Sequence, residues 1–158
     1  MLQRIHKLLI YKIAYYGLIK LKCIYFERFF LMAIALIIQD QQLILNDLSI
    51  ILTLQGFQTH TASNGIHGLQ LMDKIKPDII ITDYRMPGMF GWEVANQVLS
   101  LTNFDIPVIL ISATDPTYEI NDYLALFDAF LPMPFEISDF LDIVTSFSNK
   151  NPSLSVIM

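Results

Sequence analysis

The chain has 158 residues, 54% of them hydrophobic, which suffices for one compact core and excludes disordered, collagen-like and low-complexity classes. A single cysteine, Cys23, excludes an internal disulfide and any cysteine-based zinc or redox pair, and His6, His60 and His67 lack the spacing of a helical metal motif. The net charge of −5 is uneven: residues 1–31 carry +5 and the rest −10, an acidic body that argues against nucleic-acid binding.

Residues 1–31 are apolar and basic. Lys12, Lys20, Lys22, Glu27 and Arg28 interrupt every window of the ~20 apolar residues that a transmembrane helix needs. No small-residue cleavage site follows, as a signal peptide would require. At helical spacing Lys7, Lys12, Lys20 and Arg28 point to different quadrants, so no cationic face is offered to a membrane. Two readings stand for this extension: a membrane- or partner-binding arm, or a tail that is not part of the mature protein. The second is favoured, because Met32 stands directly before the first strand-like run. The domain is accordingly assigned to residues 32–148, with residues 149–158 as a C-terminal tail.

Ala33–Ile38 is a continuous apolar run that suits a strand buried on both faces. Ile44, Leu45, Leu48, Ile51 and Leu52 then recur at helical spacing up to Gln55, with Gly56 as the stop. Phe57–Thr61 reads as a second strand, Asn64-Gly65 as a turn, and Ile66, Leu69, Leu71, Met72 and Ile75 as a second helical stripe. Asp78–Thr82 is the third strand, and Met86-Pro87-Gly88 a loop. Val94, Ala95, Val98 and Leu99 line a third helix that Trp92 opens, and Pro107–Ile111 is the fourth strand. Ile120, Tyr123, Leu124 and Phe127 predict a fourth helix, Ala129–Leu131 a short fifth strand, and Ile137, Phe140, Leu141, Val144 and Phe147 a fifth helix. Strand and helix alternate five times, which predicts an α/β fold with a doubly wound parallel sheet. Pro132 places the fifth strand at an edge, where a missing backbone donor is tolerated.

In such sheets chemistry gathers beyond the carboxyl ends of the strands. Reading there gives Gln39-Asp40-Gln41 after the first strand and Asp83 with Tyr84-Arg85 after the third. Ser112-Ala113 follows the fourth, and Pro132-Met133-Pro134-Phe135 the fifth. No glycine-rich phosphate loop follows the first strand, and no histidine follows any of these strands to serve as the base of a nucleophilic serine. Two carboxylates and a backbone carbonyl leave a Mg²⁺-assisted phosphate site, since that hard ion takes oxygen ligands and keeps waters.

From about Ala33 to Phe147 the chain resembles the response-regulator receiver domain of two-component signalling. IIITDYRMPGMFG is similar to the family's phosphoacceptor strand and loop, PVILISA to its fourth strand, ASNG to the turn opening its second helix, and PMPF to its Lys-Pro-Phe. The resemblance implies a flavodoxin-like sheet in order 2-1-3-4-5. It implies Asp83 as the phosphoacceptor, and Asp40, Asp83 and the Arg85 backbone carbonyl as Mg²⁺ ligands. Ser112 would hydrogen-bond the phosphoryl group, and Phe130 would be the switch aromatic. A cis peptide is implied at Met133-Pro134.

Three positions depart from that pattern. Gln39 replaces the first of two adjacent acids, Met133 the pocket lysine, and Phe90 an aspartate before Gly91. Loss of one charge-assisted contact at a partly buried site costs about 1.5–3 kcal/mol, so a phosphorylated state less favoured than usual is expected. The bland readings are a turn residue for Asp83, a strand-end hydroxyl for Ser112, surface positions for His60 and His67, and packing for Trp92. Asp83 escapes its own because Asp40, Ser112 and the Met-Pro-Gly loop accompany it.

The expected function is phosphorelay signalling by a stand-alone receiver with weakened activation, since only about ten residues follow the fifth helix and leave no room for an effector domain. The alternative is a phosphorylation-independent pseudo-receiver that acts as an interaction module. An enzyme with its own turnover is disfavoured, because no general acid–base residue follows Asp83. The implied partners are a sensor histidine kinase or phosphotransfer protein and a downstream protein target, with no nucleic acid and no membrane contact, in the cytoplasm.

Overall fold

The computed structural model describes residues 33–101, 106–113 and 121–147. The readings of residues 1–31 as an extension and of 149–158 as a tail lie outside the described residues. The elements run β1 (Ile34–Ile38), α1 (Gln42–Leu54), β2 (Gln58–Ala62), α2 (Gly65–Ile75), β3 (Ile79–Asp83), α3 (Gly91–Leu101) and β4 (Val108–Ser112). A 3-10 helix (Asn121–Leu126), β5 (Ala129–Pro132) and α4 (Ile137–Ser146) complete them. All strand pairs are parallel, in the order β2-β1-β3-β4-β5, so the expected topology and the edge position of Pro132 are both found.

Strand periodicity of two sorts the core into two layers. Ala35, Ile37, Ile79, Ile81, Ile109 and Ile111 face α1 and α4, where they meet Leu45, Leu48, Leu52, Phe140 and Val144. Leu36, Ile38, Ile80 and Val108 face α2 and α3, where they meet Met72, Val94, Ala95 and Val98. The central strands are therefore apolar on both faces up to Thr82-Asp83 in β3 and Ser112 in β4, which is why they read as unbroken runs. At the opposite end from the carboxyl edge, Asp78 accepts from the Ile34 N–H at 2.8 Å and Asp128 from the Val108 N–H at 2.9 Å. These carboxylates hold the starts of β1 and β4.

Local chemistry sets the helix limits. Gly56, at φ 91°, turns the chain out of α1. Asn64 caps α2 by accepting from the His67 N–H at 2.9 Å. Lys76, left-handed at φ 50°, closes α2 before Pro77.

Several expectations shift. Each of β2, β3 and β4 starts and ends one residue later than predicted, and in β3 and β4 the ladder bonds continue past the last apolar side chain. Asp83 pairs with Ile111 and Ser112 with Pro132, so both are terminal strand residues and not loop residues. The expected fourth helix is, in its described part, a 3-10 helix: Phe127 donates to the Leu124 carbonyl three residues back at 3.1 Å, which lets these two side chains share one side. Leu99, Ile66 and Ile137 are exposed at 69%, 53% and 55%, because each lies off the narrow stripe its helix presents to the sheet.

Candidate functional site

The site forms where β1, β3 and β4 end side by side. Asp83 closes the central strand and is 8% exposed. Its Oδ1 accepts from the Tyr84 N–H at 2.6 Å, and its carboxylate also takes hydrogen bonds from the Arg85 N–H and the Gln39 side chain. Burial raises its pKa above the ordinary 3.8; the three hydrogen bonds oppose that rise, and the nearby Asp40 charge adds to it.

Gln39, directly after β1, is 2% exposed. Its Oε1 accepts from the Gln41 N–H at 3.1 Å, which leaves its NH₂ group to serve as the donor toward Asp83. Asp40 follows it and is exposed to solvent. Ser112, 2% exposed, ends the neighbouring strand β4, and its carbonyl accepts from the Met133 N–H at 2.8 Å. Gln39, Asp40, Asp83 and Arg85 are thus brought together, with Ser112 one strand away.

Met133 does not complete a charged pocket. It packs against the core layer of α1 and α4, and with Ile44, Asp47, Leu48, Ile50, Ile51, Phe135 and Ile137 lines a mostly apolar groove of about 400 Å³. The peptide bond before Pro134 is cis, as expected. Phe130 sits in β5 against a cluster of Tyr84, Leu110, Trp92, Leu124 and Phe127, behind the site on the α3 side. Trp92 packs, as its bland reading had it, stacked on Tyr123 with ring centroids 4.5 Å apart.

Two residues matter more than their sequence signal suggested. Gly91 donates to the Tyr84 carbonyl at 2.8 Å, and a Cβ there would collide with the Asp83 carbonyl oxygen. Only glycine lets α3 start this close to β3. Glu93 reaches back to the Phe90 N–H at 2.8 Å, half of a capping box, and so serves the start of α3 where Phe90 offers no side-chain acceptor. The Phe90 ring lies instead 5.9 Å from that of Tyr84. Position 90 carries no capping side chain, so the start of α3 is marked in the sequence only by the spacing of three to Glu93.

Asp40, Asp83 and the Arg85 carbonyl would offer a hard cation two carboxylates and a carbonyl, and the exposure of Asp40 leaves room for retained waters. Among the described residues no group of three or more His, Cys, Asp or Glu side chains could hold a metal ion.

Residues 35–145 match the family described as the response regulator receiver domain. The chain belongs to that family. It is 34% identical over 111 residues to the transcriptional regulatory protein KdpE of Mycobacterium tuberculosis, covering 70% of this chain and 48% of that protein. It is 30% identical over 107 residues to the response regulator MprA of Mycobacterium sp. strain KMS, covering 67% and 46%. The chain spans about half the length of the curated relatives it matches. Among solved structures, the response regulator TrrA of Thermotoga maritima in complex with Mg²⁺-BeF is 26% identical, with a TM-score of 0.67 over 73% of this chain and 98% of that one. A receiver domain from Clostridium thermocellum aligns with a TM-score of 0.69 at 24% identity, over 78% and 99%. As a receiver domain the chain is a module of two-component phosphorelay signalling and not a classical enzyme. Among the described residues no helix is long and apolar enough to cross a membrane.

Proposed function

We propose that this receiver takes a phosphoryl group on Asp83 and that its activation is weaker than its architecture would otherwise allow. The observation that carries this reading is the placement of Asp83: a carboxylate at the end of the central strand, held by two backbone N–H groups, with Asp40 beside it. The phosphodonor is a histidine kinase, a phosphotransfer protein or a small acyl phosphate. One Asp83 oxygen attacks phosphorus, the new O–P bond forms, and the electron pair of the breaking bond leaves with the donor. Mg²⁺ held by Asp40, Asp83 and the Arg85 carbonyl would neutralise charge between the carboxylate and the incoming group.

The residues of the chain do the rest. The Tyr84 and Arg85 N–H groups fix the carboxylate, so little orientation is lost on reaction. The Ser112 hydroxyl lies one strand away to bind the phosphoryl oxygens, and the Phe130 cluster behind it carries the change to the face of the 3-10 helix and β5. Met133 supplies no charge to these oxygens, so phosphate favours the active arrangement less than it would with a lysine.

Beryllofluoride with Mg²⁺, followed by Trp92 fluorescence, tests this account. Met133→Lys is expected to lower the half-saturating beryllofluoride concentration by roughly tenfold or more. Equal titrations of wild type and variant would refute the weakened switch. A second reading, a pseudo-receiver set by a protein partner and not by phosphate, is favoured by Met133 lining a mostly apolar groove. It predicts that beryllofluoride leaves Trp92 unchanged in the wild type.

A further inference from the structure

Gln39 is more than the loss of an acid. It is almost wholly buried, at 2% exposure, and among the described residues every buried side-chain nitrogen or oxygen is partnered. Its amide orientation is fixed by the Gln41 N–H, which can only donate and so claims Oε1 at 3.1 Å. The NH₂ group is left for the acceptor-only carboxylate of Asp83, which stands beside Gln39 one step past the Ile38–Thr82 pair of β1 and β3 and is buried with it. Its backbone is pinned as well, with the Gln39 N–H donating to the Ala62 carbonyl at 3.0 Å. A carboxylate in that position would offer Asp83 only repulsion until a cation arrived. The amide offers it a hydrogen bond at once.

We propose that Gln39 is a positioning residue for the phosphoacceptor, a neutral donor that holds the Asp83 carboxylate before any cation binds. The price is a weaker cation site, since the group facing the oxygen set presents N–H bonds and no lone pair. This rests on Asp83 being the acceptor, and it separates two properties that an acid would combine. Gln39 adds a side-chain donor to the Tyr84 and Arg85 N–H groups that orient the carboxylate, whereas cation affinity comes from Asp40, Asp83 and the Arg85 carbonyl.

Two substitutions divide these roles. Gln39→Met keeps the length and removes the donor. It is expected to slow the maximal rate of phosphorylation by acetyl phosphate by about tenfold, with the half-saturating Mg²⁺ concentration unchanged. Gln39→Glu keeps the acceptor for the Gln41 N–H and adds a charge; it is expected to lower the half-saturating Mg²⁺ concentration by about tenfold. Mn²⁺ titration by electron paramagnetic resonance reads that affinity without any turnover. In nuclear magnetic resonance of the metal-free full chain, the Gln39 side-chain NH₂ signals should be displaced and slow to exchange, and should collapse to solvent-like values in Asp83→Ala.

Solvent-like Gln39 signals in the wild type would overturn the proposal, as would Gln39→Met phosphorylating at the wild-type rate or Gln39→Glu binding Mn²⁺ no better. A role confined to holding the Gln41 turn predicts that Gln39→Glu behaves as wild type in every arm. A wild-type chain that takes no phosphoryl group refutes the acceptor reading itself; a phosphorylated wild type with an indifferent Gln39→Met refutes only the positioning role.

Discussion

Asp83 carries opposed demands. Its burial raises its pKa, so the folded protein holds the proton more tightly than the unfolded chain does. The sign follows from linkage: this group favours folding below the ordinary carboxylate value of 3.8, and that contribution is lost as pH rises through the raised folded value. Asp83→Asn should therefore unfold at a higher temperature than wild type at neutral pH, with the difference shrinking as pH falls toward 4. Differential scanning calorimetry across that range checks it; a gain that grows on acidification contradicts it. Gly91 sets the second demand. Gly91→Ala drives a methyl group into the Asp83 carbonyl, a backbone atom that cannot swing aside, and should cost about 1–3 kcal/mol in urea unfolding. Position 91 reads in the sequence only as a loop glycine, because the strand it abuts is eight residues away and the contact is tertiary.

At the scale of elements, the start of α3 shows how one missing side chain is offset by another. Phe90 cannot accept from a helical N–H, and Glu93 answers from inside the helix. Glu93→Ala should cost about 1 kcal/mol, read by denaturant midpoint, and Glu93→Gln much less. The strands were legible from their apolar runs, but their ends were not. Hydropathy marks where burial stops, whereas ladder bonds run on through Asp83 and Ser112, whose polar side chains are themselves 8% and 2% exposed. The two residues at the centre of the site are thus the ones an apolar-run reading places just outside their strands. The same limit applies to the segment before β5. A spacing of three serves both a helix and a 3-10 turn, and Leu124 and Phe127 satisfy it in the tighter form.

For the molecule as a whole, topology was readable because alternation of strands and helices with short connections permits few arrangements, and Pro132 marked the edge. Among the described residues the two core layers lie on opposite faces of the sheet, so each helix layer can be weakened alone. Phe140, fully buried beneath β1, β3 and β4 on the α1/α4 side, should lose about 3–5 kcal/mol on truncation to alanine, measured by urea unfolding. The candidate site was legible as a set of residues at one edge, since that follows from topology. What each contributes was not: the sequence shows Gln39 and Met133 as departures, and only the packed structure buries the first beside Asp83 and sets the second in the groove lining. Every functional role proposed for this site depends on Asp83 accepting phosphate. Incubation with acetyl phosphate and Mg²⁺, followed by intact-mass and borohydride-trapping measurement of the acyl phosphate, tests it most directly. The account predicts one phosphoryl group on the wild type, located at Asp83 and absent from Asp83→Asn; an unmodified wild type, or a variant modified to the same extent, would contradict it.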